Sequence, residues 1–361
     1  MGSESRNRYL LKNTLIFTLG NIGSRMISFF LIPLYTNVLT TSQYGTVDLI
    51  TTISTVAGPM LTLNIAESVM RFGLDKDADK EKNTQCGSIV LLIAMIIGLV
   101  LIPICRCITE VSDYAMYVYF YVISLSASQL FLCDLRGKEL LLKYSLGNIL
   151  QTLMIAILNI TFLLVFKMET GGYLLAYIIA NFIVAIYAII AGKGYKAFSF
   201  HNIDRCKLKE MIRYSVVLIP NTFMWWIMNS SDRVMVTYMI GAAANGIYAV
   251  SYKLPTLVST LTGIFNQAWS YSAIREEGTS DETEYNNKMF KTLSAIAFMM
   301  GIGLLLLTKP FLGVYVADSY YDAWKYTPFL IIGCVYLTLG TFMATSYTVH
   351  KAVSYTHLRA Y

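Results

Sequence analysis

The sequence predicts an all-α polytopic membrane protein built as two lobes from a parallel repeat of transmembrane helices. Three observations carry that reading. Hydrophobic residues make up 56% of the chain and charged residues only 14%, against about 45–50% and 25% in soluble domains. The apolar residues gather into about ten runs of roughly 20 residues or more, each long enough to cross a hydrocarbon core of about 30 Å as a helix. Finally, the chain matches itself at an offset of 201 residues, the distance from Thr40 to Gly241.

The first span, Asn13–Leu39, follows a short polar start and is far longer than the apolar core of a signal peptide, so it reads as a membrane helix. Tyr44–Met70 is the second. Ser88–Ile108, Ala115–Leu135, Leu146–Phe166 and Gly172–Ala191 follow, joined by segments too short for a soluble domain. After the basic loop Lys193–Arg213 come Tyr214–Ile240, Gly246–Ala273, Phe290–Thr308 and Tyr326–Val349. The lobes then divide as residues 1–200, with six spans, and 201–351, with four. The second lobe is incomplete on this reading, and residues 352–361 form an atypical tail that reads as a truncated or chimeric end.

The offset lays Lys12 on Arg213, Leu39 on Ile240, and the turn Thr40–Gly45 (TTSQYG) on Gly241–Gly246 (GAAANG). In both copies a second long span follows and then a charged loop, Asp75–Lys82 or Arg275–Lys288. An even number of spans separates the copies, so both enter the membrane in the same direction. That is the signature of lobes related by an axis along the membrane normal, as in transporters with a central site.

Charge assigns the orientation. The amino terminus, the even-numbered loops and the carboxyl terminus hold 21 of the 28 Lys and Arg residues, the opposite face holds Arg106, Lys167, Lys309 and Lys325, and three are embedded. The positive-inside rule places the amino terminus and Lys193–Arg213 in the cytoplasm. The net charge of +6 follows from this topology, and no nucleic-acid partner is needed to explain it. The six cysteines form no C-x-x-C pair and the three histidines lie outside the spans, so neither a metal site nor a cofactor is expected. No G-x-x-x-x-G-K-[ST] loop is present, which argues against ATP hydrolysis.

Ionisable groups inside a bilayer are costly and mark pathways or internal pairs. Here they fall in the first two spans of each copy: Arg25, Asp48, Glu67, Asp232, Arg233 and Lys253. Arg25, about 12 residues into its helix, sits about 18 Å deep, near the midplane. Asn21 and Ser28 share its face, and Asn221, Trp225, Asn229 and Arg233 form a second polar and aromatic stripe at helical spacing. Both stripes would line a cavity. Arg25 pairing with Asp48 or Glu67 to lock helices is the alternative, and Lys253 could instead reach a headgroup region. Asp48 and Glu67 lie near the ends of their span and read as solvated, which leaves Asp232 as the deep carboxylate. Pro33, Pro59 and Pro220 are candidate bends.

The segment Lys12–Ile50 (KNTLIFTLGNIGSRMISFFLIPLYTNVLTTSQYGTVDLI), continuing to ESVMRF (Glu67–Phe72), resembles the amino terminus of bacterial polysaccharide flippases. These are the O-antigen and capsule translocases of the multidrug/oligosaccharidyl-lipid/polysaccharide exporter superfamily. Pro220-Asn221, SDRVMV (Ser231–Val236), GIYAVSYK (Gly246–Lys253) and NQAWS (Asn266–Ser270) look like that family's carboxyl lobe. The resemblance implies a transporter, not an enzyme, that carries undecaprenyl-diphosphate-linked oligosaccharide from the cytoplasmic to the outer leaflet by alternating access. Its partners would be that lipid-linked oligosaccharide, membrane lipid and the polysaccharide polymerase machinery. Arg25, Arg233, Lys253 and the asparagines Asn21, Asn221 and Asn229 would hold the diphosphate, and Trp225, Trp226 and Trp269 would pack on sugar faces. The alternatives are a multidrug/cation antiporter of the same superfamily, with Asp48, Glu67 or Asp232 as the coupling carboxylate, and a non-transporting scaffold for envelope assembly.

Overall fold

The computed structural model describes residues 27–75, 78–106, 111–198, 204–276 and 282–349. Its helices are α1 (Ile27–Val38), α2 (Thr41–Leu61), α3 (Ile65–Gly73), α4 (Lys80–Arg106), α5 (Ala115–Gly137) and α6 (Leu141–Ile160), followed by α7 (Glu169–Ala191), α8 (Arg205–Met239), α9 (Ala242–Ser251), α10 (Lys253–Glu276), α11 (Glu282–Tyr315) and α12 (Thr327–Val349), with no strand among the described residues. By length and composition α4 to α7, α11 and α12 can each cross a membrane, and α2 with α3 makes a further, bent crossing. The chain is thus a multi-pass helical membrane protein.

Local chemistry sets the ends of these helices. Thr40 caps α2: its Oγ1 accepts from Gln43 N at 3.2 Å while Gln43 Oε1 accepts from Thr40 N at 2.9 Å, a reciprocal capping box. Asp204 caps α8 by accepting from Lys207 N at 3.0 Å. The repeat is visible in these boundaries, because α2 begins at Thr41 and α9 at Ala242, the same offset of 201 residues that the sequence shows.

The three prolines behave differently. After Pro59 the second span breaks: Leu63 and Asn64 take positive φ (52° and 55°), and α3 leaves α2 at 60°. Proline removes a ladder hydrogen bond and crowds the preceding turn, and Asn tolerates the left-handed conformation that completes the break. A turn interrupts α1 at Leu31, just before Pro33. Pro220 makes no break, since α8 runs unbroken through it for 35 residues. The expected eighth span is two helices, α9 and α10, meeting at Tyr252.

Between helices in lipid there is no hydrophobic driving force, so association depends on close backbone packing and polar contacts. The crossing of α2 and α9 shows both. Gly45 and Gly246 occupy equivalent repeat positions and face each other: a Cβ on Gly45 would lie 1.8 Å from the Ala242 carbonyl oxygen, and one on Gly246 2.0 Å from that of Thr41. Only glycine permits that approach. A buried cluster around Tyr35, Tyr44, Tyr173, Leu174, Val250 and Tyr320 surrounds this end, where the Tyr320 hydroxyl donates to Leu39 O at 2.9 Å. A second cluster, with Ile65, Val69, Leu130, Phe131, Val184 and Met211, joins α3, α5, α7 and α8 at the opposite, basic end. There Lys138 pairs with Asp134 at 2.6 Å, and Lys138 and Lys143 donate to the terminal carbonyls of α7, Gly192 O and Ala191 O, at 2.9 and 2.8 Å. Large apolar side chains such as Val100, Val165, Leu306 and Val314 are turned outward, as lipid-facing positions require.

Candidate functional site

Two polar places lie where the first half of the chain meets α8 and α9. One is a buried cluster beside the glycine crossing. Arg233 Nη1 of α8 lies 3.1 Å from Asp48 Oδ1 of α2 and 3.4 Å from Thr52 Oγ1. Asn245 Nδ2 of α9 donates to Gly45 O at 2.9 Å and reaches Asp48 Oδ2 at 3.4 Å. The guanidinium also lies over the Tyr252 ring, 5.3 Å from its centroid, and Trp226 Nε1 donates to Thr52 O at 2.8 Å. Asp232, one residue before Arg233 and therefore rotated by about 100° around the helix, accepts from the Tyr248 hydroxyl. These contacts make one seam from α2 to α8 and α9.

The other place is a cavity of about 750 Å³ nearer the basic end, walled by the α2–α3 break, α5, α6 and the first half of α8. Glu67, Gln129, Tyr144, Asn148, Gln151 and Asn221 supply much of its polar surface. Its rim is bridged where Asn64 Nδ2 donates to Thr222 Oγ1 at 3.2 Å. Below it, Ser68 Oγ donates to Met211 O at 3.0 Å and Phe72 packs edge-on against Tyr214. The volume falls in the range of small-molecule sites, and a few convergent polar groups are what orient a ligand in such a site.

The residues expected from the sequence are dispersed between these places. Asn21 and Arg25 lie outside the described residues. Asp48 is only 7% exposed; it is not solvated, because α9 and Arg233 cover the end of α2 on which it sits. Arg233 is committed to that carboxylate and does not line the cavity. Of its stripe only Asn221 reaches the cavity wall; Trp225 is 54% exposed and Asn229 turns its Nδ2 to Trp225 O at 2.7 Å. The stripe fails because residues spaced four apart drift around a helix of 3.6 residues per turn. Glu67 does line the cavity. Asp232 is bound to Tyr248, and Lys253 stands at the start of α10, half-buried and close enough to Asp48 and Arg233 to feel both charges. Trp269 is a core residue stacked on Phe342 at 4.6 Å, so it offers no face to a sugar.

Sequence reasoning missed Asn245, Tyr248 and Thr52 in the seam and Gln129, Asn148 and Gln151 in the cavity. Amides within apolar runs were the available signal, and attention to ionisable groups alone passes over them.

The profile of a family described as "Polysaccharide biosynthesis protein" matches residues 10–271. Among solved structures, an inward-facing multidrug resistance MATE family transporter of the MOP superfamily is similar with a TM-score of 0.66 at 12% identity, over 92% of this chain and 84% of that one. An outward-facing structure of such a transporter gives 0.60 at 14% identity, over 94% and 81%, and a MATE protein in complex with MaD3S gives 0.59 at 13%, over 94% and 81%. These likenesses show the two-lobe helical fold. No curated protein matches the chain.

Proposed function

Because the chain belongs to the polysaccharide biosynthesis protein family, we propose that this MOP-superfamily transporter moves a lipid-linked oligosaccharide, carried on undecaprenyl diphosphate, from the cytoplasmic to the outer leaflet. The lobes in this reading are residues 1–200 and 201–351, the basic end faces the cytoplasm of an inner membrane, and the lobes rock about the site in alternating access. The observation that carries the reading is the amide-rich cavity between the α2–α3 break, α5, α6 and α8. Hydroxyl-rich sugars need side chains that both donate and accept, and amides do both. A drug-export pocket would be lined mainly by apolar and aromatic groups. With Arg233 held by Asp48, Arg25 and Lys253 are the embedded cations left for a diphosphate.

Glu67 supports a second reading. Its carboxylate stands on the cavity wall without an ion pair or hydrogen bond among the described residues, which is what a cation-coupled exporter would need. A leaflet-resolved assay separates the two. Protein in liposomes should expose undecaprenyl-diphosphate-linked sugar in the opposite leaflet at a rate well above protein-free vesicles. Absence of that flux, together with drug efflux driven by a proton or sodium gradient, would overturn the flippase in favour of the exporter.

A further inference from the structure

Arg136, Lys138 and Lys143 follow one another where α5 gives way to α6 at the basic end. Two of them hold helices together, Lys138 through Asp134 and the Gly192 carbonyl and Lys143 through the Ala191 carbonyl. Arg136 is placed differently. Its guanidinium lies over the Tyr144 ring, 5.5 Å from the centroid, and donates to the Cys133 thiol. Cys133 and Tyr144 are both wall residues of the cavity of about 750 Å³. Arg136 is half-buried beside that wall and forms no ion pair among the described residues.

Helical spacing explains the placement. Gln129, Cys133 and Arg136 stand at i, i+4 and i+7 and share one face of α5. Arg136 lies in the last turn, about 10 Å along the axis from Gln129. The negative end of the helix dipole favours a cation there. On α6 the order is the same, with Tyr144 nearest the basic end and Asn148 and Gln151 one and two turns further in. Both walls thus run from a cation on an aromatic ring to a zone of amides.

A lipid-linked saccharide has the matching order, with phosphates at the headgroup level and sugar attached to them. A guanidinium presents a planar fork that binds two phosphate oxygens. Resting it on a ring and a thiol limits the freedom it loses when a ligand arrives. Glu67, on the same wall and close enough for the Cys133 thiol to feel its charge, only accepts, which suits sugar hydroxyls.

We propose that Arg136 recognises the diphosphate at the mouth of the cavity, with Tyr144 and Cys133 positioning its guanidinium and the amides further in taking the sugar. The proposal rests on the lipid-linked saccharide reading above. It adds to the embedded cations Arg25 and Lys253 a contact made at the headgroup level, where the ligand enters.

The test offers two lipids at equal loading to protein in phosphatidylcholine liposomes: one N-acetylhexosamine disaccharide carried either on undecaprenyl diphosphate or on undecaprenyl monophosphate. The wild type should move the diphosphate probe at least about tenfold faster, a ratio that corresponds to ~1.4 kcal/mol. Arg136→Gln removes both charge and fork and should lower that ratio severalfold. Arg136→Lys keeps the charge alone and should fall between the two. The ratio is read within each variant, so a loss of folded protein cancels. An excess of phosphatidylglycerol in the liposomes should leave the wild-type ratio in place; its collapse would assign the guanidinium to any anionic headgroup and overturn the proposal. An unchanged ratio in Arg136→Gln, even with both rates lowered, would overturn it too and make Arg136 a packing residue. Equal rates for both probes in the wild type would overturn it and leave the flippase reading intact. If the wild type moves neither probe, the flippase reading fails and the role of Arg136 built on it falls with it.

Discussion

Asp48 and Arg233 form a buried ion pair, 3.1 Å from Oδ1 to Nη1, that ties α2 in the first half of the chain to α8 in the second. Asn245 and Thr52 complete the shell around it. Removing one partner of such a pair leaves an uncompensated charge, at a cost of about 3–5 kcal/mol, whereas removing both costs far less. Arg233→Ala and Asp48→Ala should therefore each lower the thermal unfolding midpoint in detergent sharply. Asp48→Asn combined with Arg233→Gln should recover much of the loss. A double-mutant cycle in which the two changes simply add would show that the pair contributes no coupling.

The glycine crossing predicts a second, symmetrical sensitivity. A methyl group on Gly45 or Gly246 meets a backbone carbonyl at about 2 Å, and a carbonyl held in a helix cannot step aside as a side chain can. Gly45→Ala and Gly246→Ala should each destabilise by roughly 1–3 kcal/mol or more, the cost of overpacking. Gly263→Ala, where a Cβ meets nothing within 4 Å, is the control and should be close to neutral. Equal midpoints for all three would mean that α2 and α9 separate easily.

Orientation can be checked by thiol labelling in a cysteine-free background. The split of basic residues predicts Lys196 inside and Ser319 outside. A membrane-impermeant maleimide added to intact cells should modify Ser319→Cys and spare Lys196→Cys until the membrane is opened. The reverse pattern would invert the proposed direction of transport.

The helical class, the membrane spans and the repeat were legible because they are written in long-range pattern: apolar runs of membrane length, and turns 201 residues apart that start α2 and α9 at matching positions. The break after Pro59 was legible in kind, though its completion by Leu63 and Asn64 in the left-handed region was not. The site was harder, because depth in a span is not burial. Asp48 lies near a helix end, where a lone helix would be solvated, yet α9 folds over that end and turns the position into an interior one. Arg233 stands 12 residues after Asn221, a spacing that drifts by about 120° around the helix, so the two face different neighbours. Amides such as Gln129 and Asn148 carry no charge to mark them in an apolar run, and the fold alone reveals that they converge.

Lys253 allows function and stability to be separated. It is half-buried at the start of α10, beside the Asp48–Arg233 pair, and its ammonium makes no hydrogen bond or ion pair among the described residues. Such a cation costs desolvation, and the Asp48 charge it feels is already paired with Arg233, which repels it, so a purely structural protein would gain by losing it. Lys253→Met keeps the length and apolar stem of the side chain and removes only the charge. If Lys253 serves the diphosphate, the variant should show an unchanged or higher unfolding midpoint and a severalfold lower flux of lipid-linked sugar. The Asp48 and Arg233 single changes, by contrast, should lower both quantities together, since they open the seam itself. Full flux in Lys253→Met at normal abundance would assign the ammonium to the membrane interface and leave Arg25 as the embedded cation to be tested for diphosphate recognition.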